Sequence, residues 1–390
     1  MGIDDLKNSI IAAIESQRSQ LIELCLNIHA NPELGLNEVK AMEWLTAYLQ
    51  QSGFSIEKGI AGLNTAFRAV YGRGKPVIAL LAEFDALPDI GHACGHNIIA
   101  AAAVGAAVGS KLALQDYGGT VMVLGTPAEE LHGGKVMMAD RGAFQDIDVA
   151  MMVHPGVRDA ATTQALACQN LEIEFFGKAA HAAANPEAGI NALEAMLISF
   201  NAINSLRQHI RSSARVHGII KESGQAANIV PAYTSGLFMV RAEDDSYLDE
   251  LKPRVLDCFK GAALATGARL EYKWGTIRYG AMRNNMTLAG LFRQNMQLLG
   301  RQVLEAEPYT ALGSTDMGNV SRIVPSIHPF VAIAPKGVST HSIEFARAAA
   351  SESGTRGMLD AAKAMAMTAA DLLASPALSA EVKAEFDSNG

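Results

Sequence analysis

Apolar residues at Ile10, Ile11, Ile14, Leu21, Ile22, Leu24 and Cys25 recur with the spacing of a helix face, which predicts one or two helices at the start of the chain. A further helical pattern covers 38–51 and stops near Gly53. Short apolar, β-rich runs follow at 77–82, 120–125 and 148–153, separated by helical patterns over 97–114 and 134–141. These runs lack polar alternation, so each predicted strand has both faces covered. Strand, helix, strand, helix, strand with such strands is the pattern of a parallel α/β sheet.

In a sheet of that kind the ligand site forms just past the carboxyl ends of the strands. The first run is followed by Glu83-Phe84-Asp85, the second by Pro127-Ala128-Glu129-Glu130 and the third by His154-Pro155. The loop before the Ala-rich helix is His92-Ala93-Cys94-Gly95-His96-Asn97. The unusual polar residues of the first half therefore fall where the rule puts a site.

From about Leu171 the texture changes. An alternating strand at 171–176 is followed by a helix over 190–210, strands at 216–220 and 234–241, a helix over 246–266 and a strand at 269–274. That order suggests a compact α+β module with helices on one face of an antiparallel sheet. After Ala281 helix and strand patterns resume, with a last strand at 329–335 and a helix over 353–373 that ends the fold. The simplest organisation is one α/β domain, 1–168 and 282–390, interrupted by a module at 169–281. A length of 390 residues agrees with two or three domains at about 150 residues each.

Composition narrows the function classes. The net charge of −8 is spread along the chain without a basic stripe, so no nucleic-acid partner is expected. No run of about 20 uninterrupted apolar residues occurs, so no membrane span is predicted, and the apolar run 98–108 reads as a buried helix. The first residues, Met1 to Lys7, read as the start of an amphipathic helix and carry no signal pattern, which predicts a cytoplasmic protein. Cys25, Cys94, Cys168 and Cys258 are widely spaced, without a disulfide framework, and three sit in apolar contexts. Cys94 does not.

A thiolate and an imidazole two residues apart, as in Cys94-Gly95-His96, suit zinc or a similar borderline cation. Adjacent carboxylates at a strand end, Glu129 and Glu130, cannot both point the same way, so one can bind metal while the other serves as general base. A solvated helix N-terminus is the plainer explanation of that pair taken alone. His154 closes an apolar strand, where an unpaired imidazole is costly unless bound to something. Ser339-Thr340-His341-Ser342 follows the last strand and can bring His341 to the same place. Cys94, His96, Glu130, His154 and His341 together suffice for two metals, with Glu129 remaining as the base.

These residues resemble the aminoacylase, desuccinylase and glutamate-carboxypeptidase metallohydrolases, peptidase family M20, in the amidohydrolase branch of the hippurate, auxin-conjugate and p-aminobenzoyl-glutamate hydrolases. The resemblance rests on Phe84 to Pro88, Gly91 to Asn97, Pro127 to Glu130, Val153 to Pro155, Gly177 to His181, Pro186 to Ala192, Ala227 to Pro231, Gly313 to Asp316 and Thr340-His341. It implies a mixed, mostly parallel sheet flanked by helices, with an inserted ferredoxin-like lid that dimerises. It implies two divalent ions, zinc or manganese with cobalt and nickel as alternatives, held by the five residues named above. Glu129 then takes the proton of the attacking water, and His181 reaches a partner subunit's site to stabilise the oxyanion. Asn228 and Arg241 become candidates to hold a substrate carboxylate. The implied substrate is an N-acyl amino acid or dipeptide-like amide, and the implied assembly a homodimer or higher homo-oligomer.

Several positions depart from the family pattern. Glu83 stands where distant relatives have a metal-binding histidine, so Asp85 becomes a residue that orients an imidazole. Asn97 replaces a common aspartate, and Leu131-His132 stands where relatives often have glycines, leaving His132 as a pocket-lining candidate. Two other classes fit parts of the sequence: a cysteine hydrolase with Cys94 as nucleophile, and a binding protein that kept the fold without catalysis.

Overall fold

The computed structural model describes residues 2–304 and 313–388, which form two compact units. The first begins with α1 (Ile3–Ser16), α2 (Arg18–Ala30) and α3 (Val39–Gln51), whose apolar faces are buried; Met1 lies outside the described residues. It continues through β1 (Ser55–Lys58), β2 (Phe67–Arg73), β3 (Val77–Glu83), α4 (His96–Tyr117), β4 (Gly119–Thr126), α5 (Glu129–His132), α6 (Gly134–Asp140), β5 (Val149–Met151) and β6 (His154–Gly156).

The second unit, Ala165–Ala281 with Gly313–Thr315 joined to it, contains β7 (Ala167–Phe176), α7 (Ala192–Leu206), β8 (Arg215–Glu222), β9 (Tyr233–Ala242), α8 (Asp245–Thr266) and β10 (Arg269–Tyr279). The chain then completes the first unit with α9 (Met286–Leu298), α10 (Met317–Val320), β11 (Ser326–Ile327), β12 (Phe330–Ala332), α11 (Ile343–Ala349), α12 (Glu352–Ala374) and α13 (Pro376–Ser388).

The main sheet of the first unit has the order β1-β2-β4-β3-β5-β11. Its β4-β3-β5-β11 section is parallel, as expected for strands such as β3 and β4 that are buried on both faces. The antiparallel pair β1 and β2 at one edge makes the sheet mixed. These two strands have half-polar sequences and went unread in the apolar pattern. The predicted strand at 329–335 is shorter, Phe330–Ala332, and pairs with β6 in a separate two-stranded ribbon that sets His154 opposite Phe330. The helix expected to end the fold is not the last element, because Ser375-Pro376 breaks it and α13 follows.

The Ala-rich α4 runs through the core against α12. A Cβ at Gly105 would stand 3.1 Å from Leu21 and 3.2 Å from Ala362, so small residues let these helices approach closely. Among the described residues, α4 is the one helix long and apolar enough to cross a membrane by length and composition, and 83% of its most apolar window is buried in the fold. Length and composition here reflect a core helix.

The second unit is a four-stranded antiparallel sheet of order β10-β7-β9-β8, in the β-α-β-β-α-β sequence of a ferredoxin-like fold. Leu171, Ile173, Phe175, Phe238 and Val240 alternate inward and are buried with Leu248, Leu251, Val255 and Phe259 of α8. Asn191 and Asp244 cap α7 and α8, their side chains accepting from Leu193 and Glu194 N–H and from Tyr247 N–H respectively.

Candidate metal centre

Tight local geometry brings the polar loops together. Gly95 has φ +80°, and a Cβ there would lie 2.5 Å from Pro155 Cγ, so glycine alone lets the Cys94-His96 loop press against the His154 strand. Ala128 is held in the left-handed region at φ 63° while its N–H donates to the buried Glu38 at 2.8 Å. A Cβ at Gly134 would stand 1.7 Å from Pro127 O, so α6 packs directly under the Glu129-Glu130 turn. His341 also has positive φ, 61°, and its N–H donates to Ala93 O at 2.9 Å. Left-handed non-glycine residues in two of the converging segments are strain of the kind that accumulates at sites.

Cys94, His96 and His154 form one group whose ligand atoms lie within 4.8 Å of one another, and Cys94, Glu130 and His341 form a second. Cys94 belongs to both. Cys94 Sγ is 3.4 Å from His154 Nε2, and His341 Nε2 is 3.3 Å from Glu130 Oε1. His96 Nδ1 contacts Asp85 O at 2.9 Å and Asp85 Oδ1 at 3.1 Å, which fixes the ring and directs Nε2 toward Glu83 Oε1, at 3.0 Å, and Glu130 Oε1, at 3.8 Å. The other Asp85 oxygen accepts from Glu130 N–H at 3.0 Å.

The electrostatics are those of a site built around positive charge. Burial pushes the Cys94 thiol up and keeps it protonated when no cation is near. Burial opposes a charge on His96, but Glu83 and Cys94 outweigh it and hold the ring well above the usual histidine range. Burial, with help from His96, drives His154 down to about 4. Burial, then Glu83 and Asp316, raises Glu129 well above the usual carboxylate range. His96 Nε2 and Glu130 Oε1 are buried, and their partners are the ionic contacts with Glu83, with one another and with His341. Several potential ligand atoms therefore converge within a few ångströms of one another, the arrangement a bound cation would satisfy. Thiolate, imidazole and carboxylate together are the donor set of a borderline divalent cation.

Beneath this cluster lie residues that the sequence did not single out for a role. Lys135 Nζ forms ion pairs with Glu83 and with Asp316 Oδ1 at 2.8 Å, all three being buried. His328, also buried, sets its ring 5.5 Å from that of His154. Nothing in a helical segment such as 134–141 marks its lysine as internal, and Asp316 stood out only as part of a motif. Asn97 donates to Cys25 O at 3.4 Å and to Ala349 O at 3.1 Å, which ties α4 to its neighbours. His132 is exposed.

In the second unit, His181 and Asn228 lie on adjacent segments, with Ala182 N–H donating to Asn228 O at 3.0 Å, and both side chains are exposed. His181 Nδ1 accepts from Ala183 and Ala184 N–H at 3.3 and 3.2 Å. Arg241 is half-buried on β9 and reaches Ser314 Oγ at 3.4 Å.

An α/β unit with clustered donors past its strand ends, interrupted by a ferredoxin-like module, is the architecture of a two-part metallohydrolase. The described module matches the peptidase dimerisation domain of the M20 type over residues 169–266. The chain is 37% identical to Xaa-Arg dipeptidase of Mus musculus over 98% of its own length and 92% of that protein's. It is 31% identical to one of the subunits of p-aminobenzoyl-glutamate hydrolase from Escherichia coli, covering 96% and 93%. A Bacillus subtilis crystal structure, a dinuclear metal binding peptidase of the M20 family, superposes with a TM-score of 0.71 at 21% identity, covering 92% of this chain and 99% of that one. The chain belongs to the M20 family of metallopeptidases and amidohydrolases.

Proposed function

We propose that this protein is a two-metal amidohydrolase that releases an amino acid from an N-acyl amino acid or a dipeptide. The observation that carries the proposal is the pair of ligand groups sharing Cys94. His96 and His154 with Cys94 would hold one ion, and Glu130 and His341 with Cys94 the other, zinc or manganese being the expected metals. Such ions supply electrophilic activation and a water acidic enough to attack near neutral pH. Glu129 takes the proton from that water and delivers it to the departing amine. Asp85 holds the His96 ring in the tautomer that leaves Nε2 available.

In the same reading, residues 169–281 act as a lid and dimerisation module. His181 reaches a second subunit's substrate to steady the oxyanion, and Asn228 and Arg241 hold the substrate carboxylate. The matched dimerisation domain supports an oligomer. The names of relatives support the substrate class: Xaa-Arg dipeptidase, p-aminobenzoyl-glutamate hydrolase and indole-3-acetyl-aspartic acid hydrolase each denote cleavage at an amino acid that keeps its carboxylate. The lack of a basic surface run and the burial of α4 fit a small-molecule substrate rather than nucleic acid or membrane, and a cytoplasmic setting is part of the proposal.

A cysteine hydrolase is disfavoured by the Cys94 thiol, which burial pushes up, whereas a catalytic thiol needs its pKa lowered. The test is Glu129→Gln with metal analysis alongside turnover on a panel of N-acyl amino acids and dipeptides. Loss of turnover with two ions retained supports the proposal; turnover that survives with full metal occupancy defeats it, as does activity indifferent to a chelator.

A further inference from the structure

The metal ligands are not the only carboxylates within reach of His96. Glu83, His96 and Glu129 form a third group whose ligand atoms lie within 4.8 Å of one another. If a cation settled there, Glu129 would become a ligand and could no longer serve as a base. Glu83 Oε1 already stands 3.0 Å from His96 Nε2, so geometry alone does not prevent it.

The difference is made from below. Glu83 Oε2 is taken by Lys135 Nζ, and the ammonium is anchored a second time at Asp316 Oδ1, 2.8 Å away. Asp316 also accepts from the Lys135 backbone N–H through Oδ2 at 2.8 Å, so one carboxylate grips both ends of the lysine. All three side chains are fully buried, where a carboxylate deprived of its cation is left seeking another. Gly134 makes the arrangement feasible, since any side chain there would strike Pro127 and lift α6 away.

We infer that Lys135 is a positioning residue that occupies Glu83 and so keeps Glu83 and Glu129 out of the metal ligand set. This inference rests on the two-metal reading above. It makes the lysine a permanent internal substitute for a third cation: it neutralises Glu83 without using a coordination position and leaves Glu129 outside the coordination sphere.

The experiment loads metal-free, full-length protein with Co²⁺ and records ion stoichiometry and the visible and near-ultraviolet spectrum, which reports thiolate ligation and coordination number. Lys135→Met takes the net charge of the triad from −1 down to −2 and frees Glu83. Its Co²⁺ spectrum should shift toward higher, oxygen-rich coordination, and kcat should fall about 10²-fold, the scale of a displaced catalytic group, with KM changed far less. The double variant Glu83→Gln/Lys135→Met restores −1 and should regain the wild-type spectrum and at least about tenfold in kcat. Asp316→Asn leaves the Lys135–Glu83 pair in place and should keep the wild-type spectrum.

A Lys135→Met protein with wild-type spectrum and kcat overturns the inference, as does a defect that Glu83→Gln fails to relieve, which would mark simple packing. Should Lys135→Met not fold, the triple variant Glu83→Gln/Lys135→Met/Asp316→Asn carries the test, and a shifted spectrum there is equally fatal. A wild-type protein that binds fewer than two Co²⁺ ions defeats the two-metal reading instead, so the two failures are distinct.

Discussion

In the first unit, Glu83, Lys135 and Asp316 bury their charges against one another directly beneath Cys94, His96 and Glu130. In the second unit, His181 and Asn228 stand exposed, and Arg241 rests half-buried against Met239 Sδ and Ser314 Oγ. Buried charges must find partners within their own chain, because an unpaired one destabilises the fold by several kcal/mol. Exposed groups carry no such requirement and remain available to a substrate or another subunit. On the proposed function, the metal ligands come from one protomer, while His181, Asn228 and Arg241 depend on what they meet.

Removing the shared ligand tests the first half of that contrast most severely. Cys94→Ala should lose both ions and lower kcat/KM by more than about 10³-fold, on the scale of deleting a group that acts in the transition state. Retention of one tightly held ion would show that the two ligand groups are independent. His181→Ala should cost about 10²–10³-fold in kcat, as for loss of an oxyanion donor, with metal content intact. Mixing His181→Ala protomers with Glu129→Gln protomers should then restore a measurable fraction of activity, because one site in a mixed dimer receives both an intact base and an intact partner histidine. Absence of any recovery in a verified mixed dimer would place His181 in its own protomer's chemistry.

Arg241→Ala should act mainly on KM, raising it about 10- to 100-fold, the worth of a charge-assisted hydrogen bond to a carboxylate. A substrate analogue without that carboxylate should be indifferent to the change.

The smallest effect concerns stability. Burial, together with the charge of Asp85, pushes Glu38 up to about 7 from an ordinary value of 4.5. A raised carboxylate is neutral in the fold before it is neutral in the unfolded chain, so its contribution is fully present below pH 4.5 and is lost as pH rises through about 7. Denaturant unfolding of Glu38→Gln should therefore show a flatter decline in stability across that interval than the wild type, and parallel curves would refute the assignment.

The alternation of strand and helix could be read from the chain alone, because continuous apolar strands and 3.6-residue periodicity are local properties of 77–82, 120–125 and 97–114. So could the candidacy of Cys94, His96, Glu129, Glu130 and His154, since each follows a strand end or opens a helix where a polar residue is conspicuous. The same reading did not reveal β1 and β2, whose half-polar residues gain strand character from pairing with a neighbour. Nor did it reveal α13, or that Lys135, Asp316 and His328 are internal. Burial of a charged side chain is a property of the partners that surround it, and the partners of Lys135 come from positions 52 and 181 residues away. Folding alone brings such distant groups within ion-pair distance, so what lies beneath the metal centre was settled by long-range packing and by nothing local to α6.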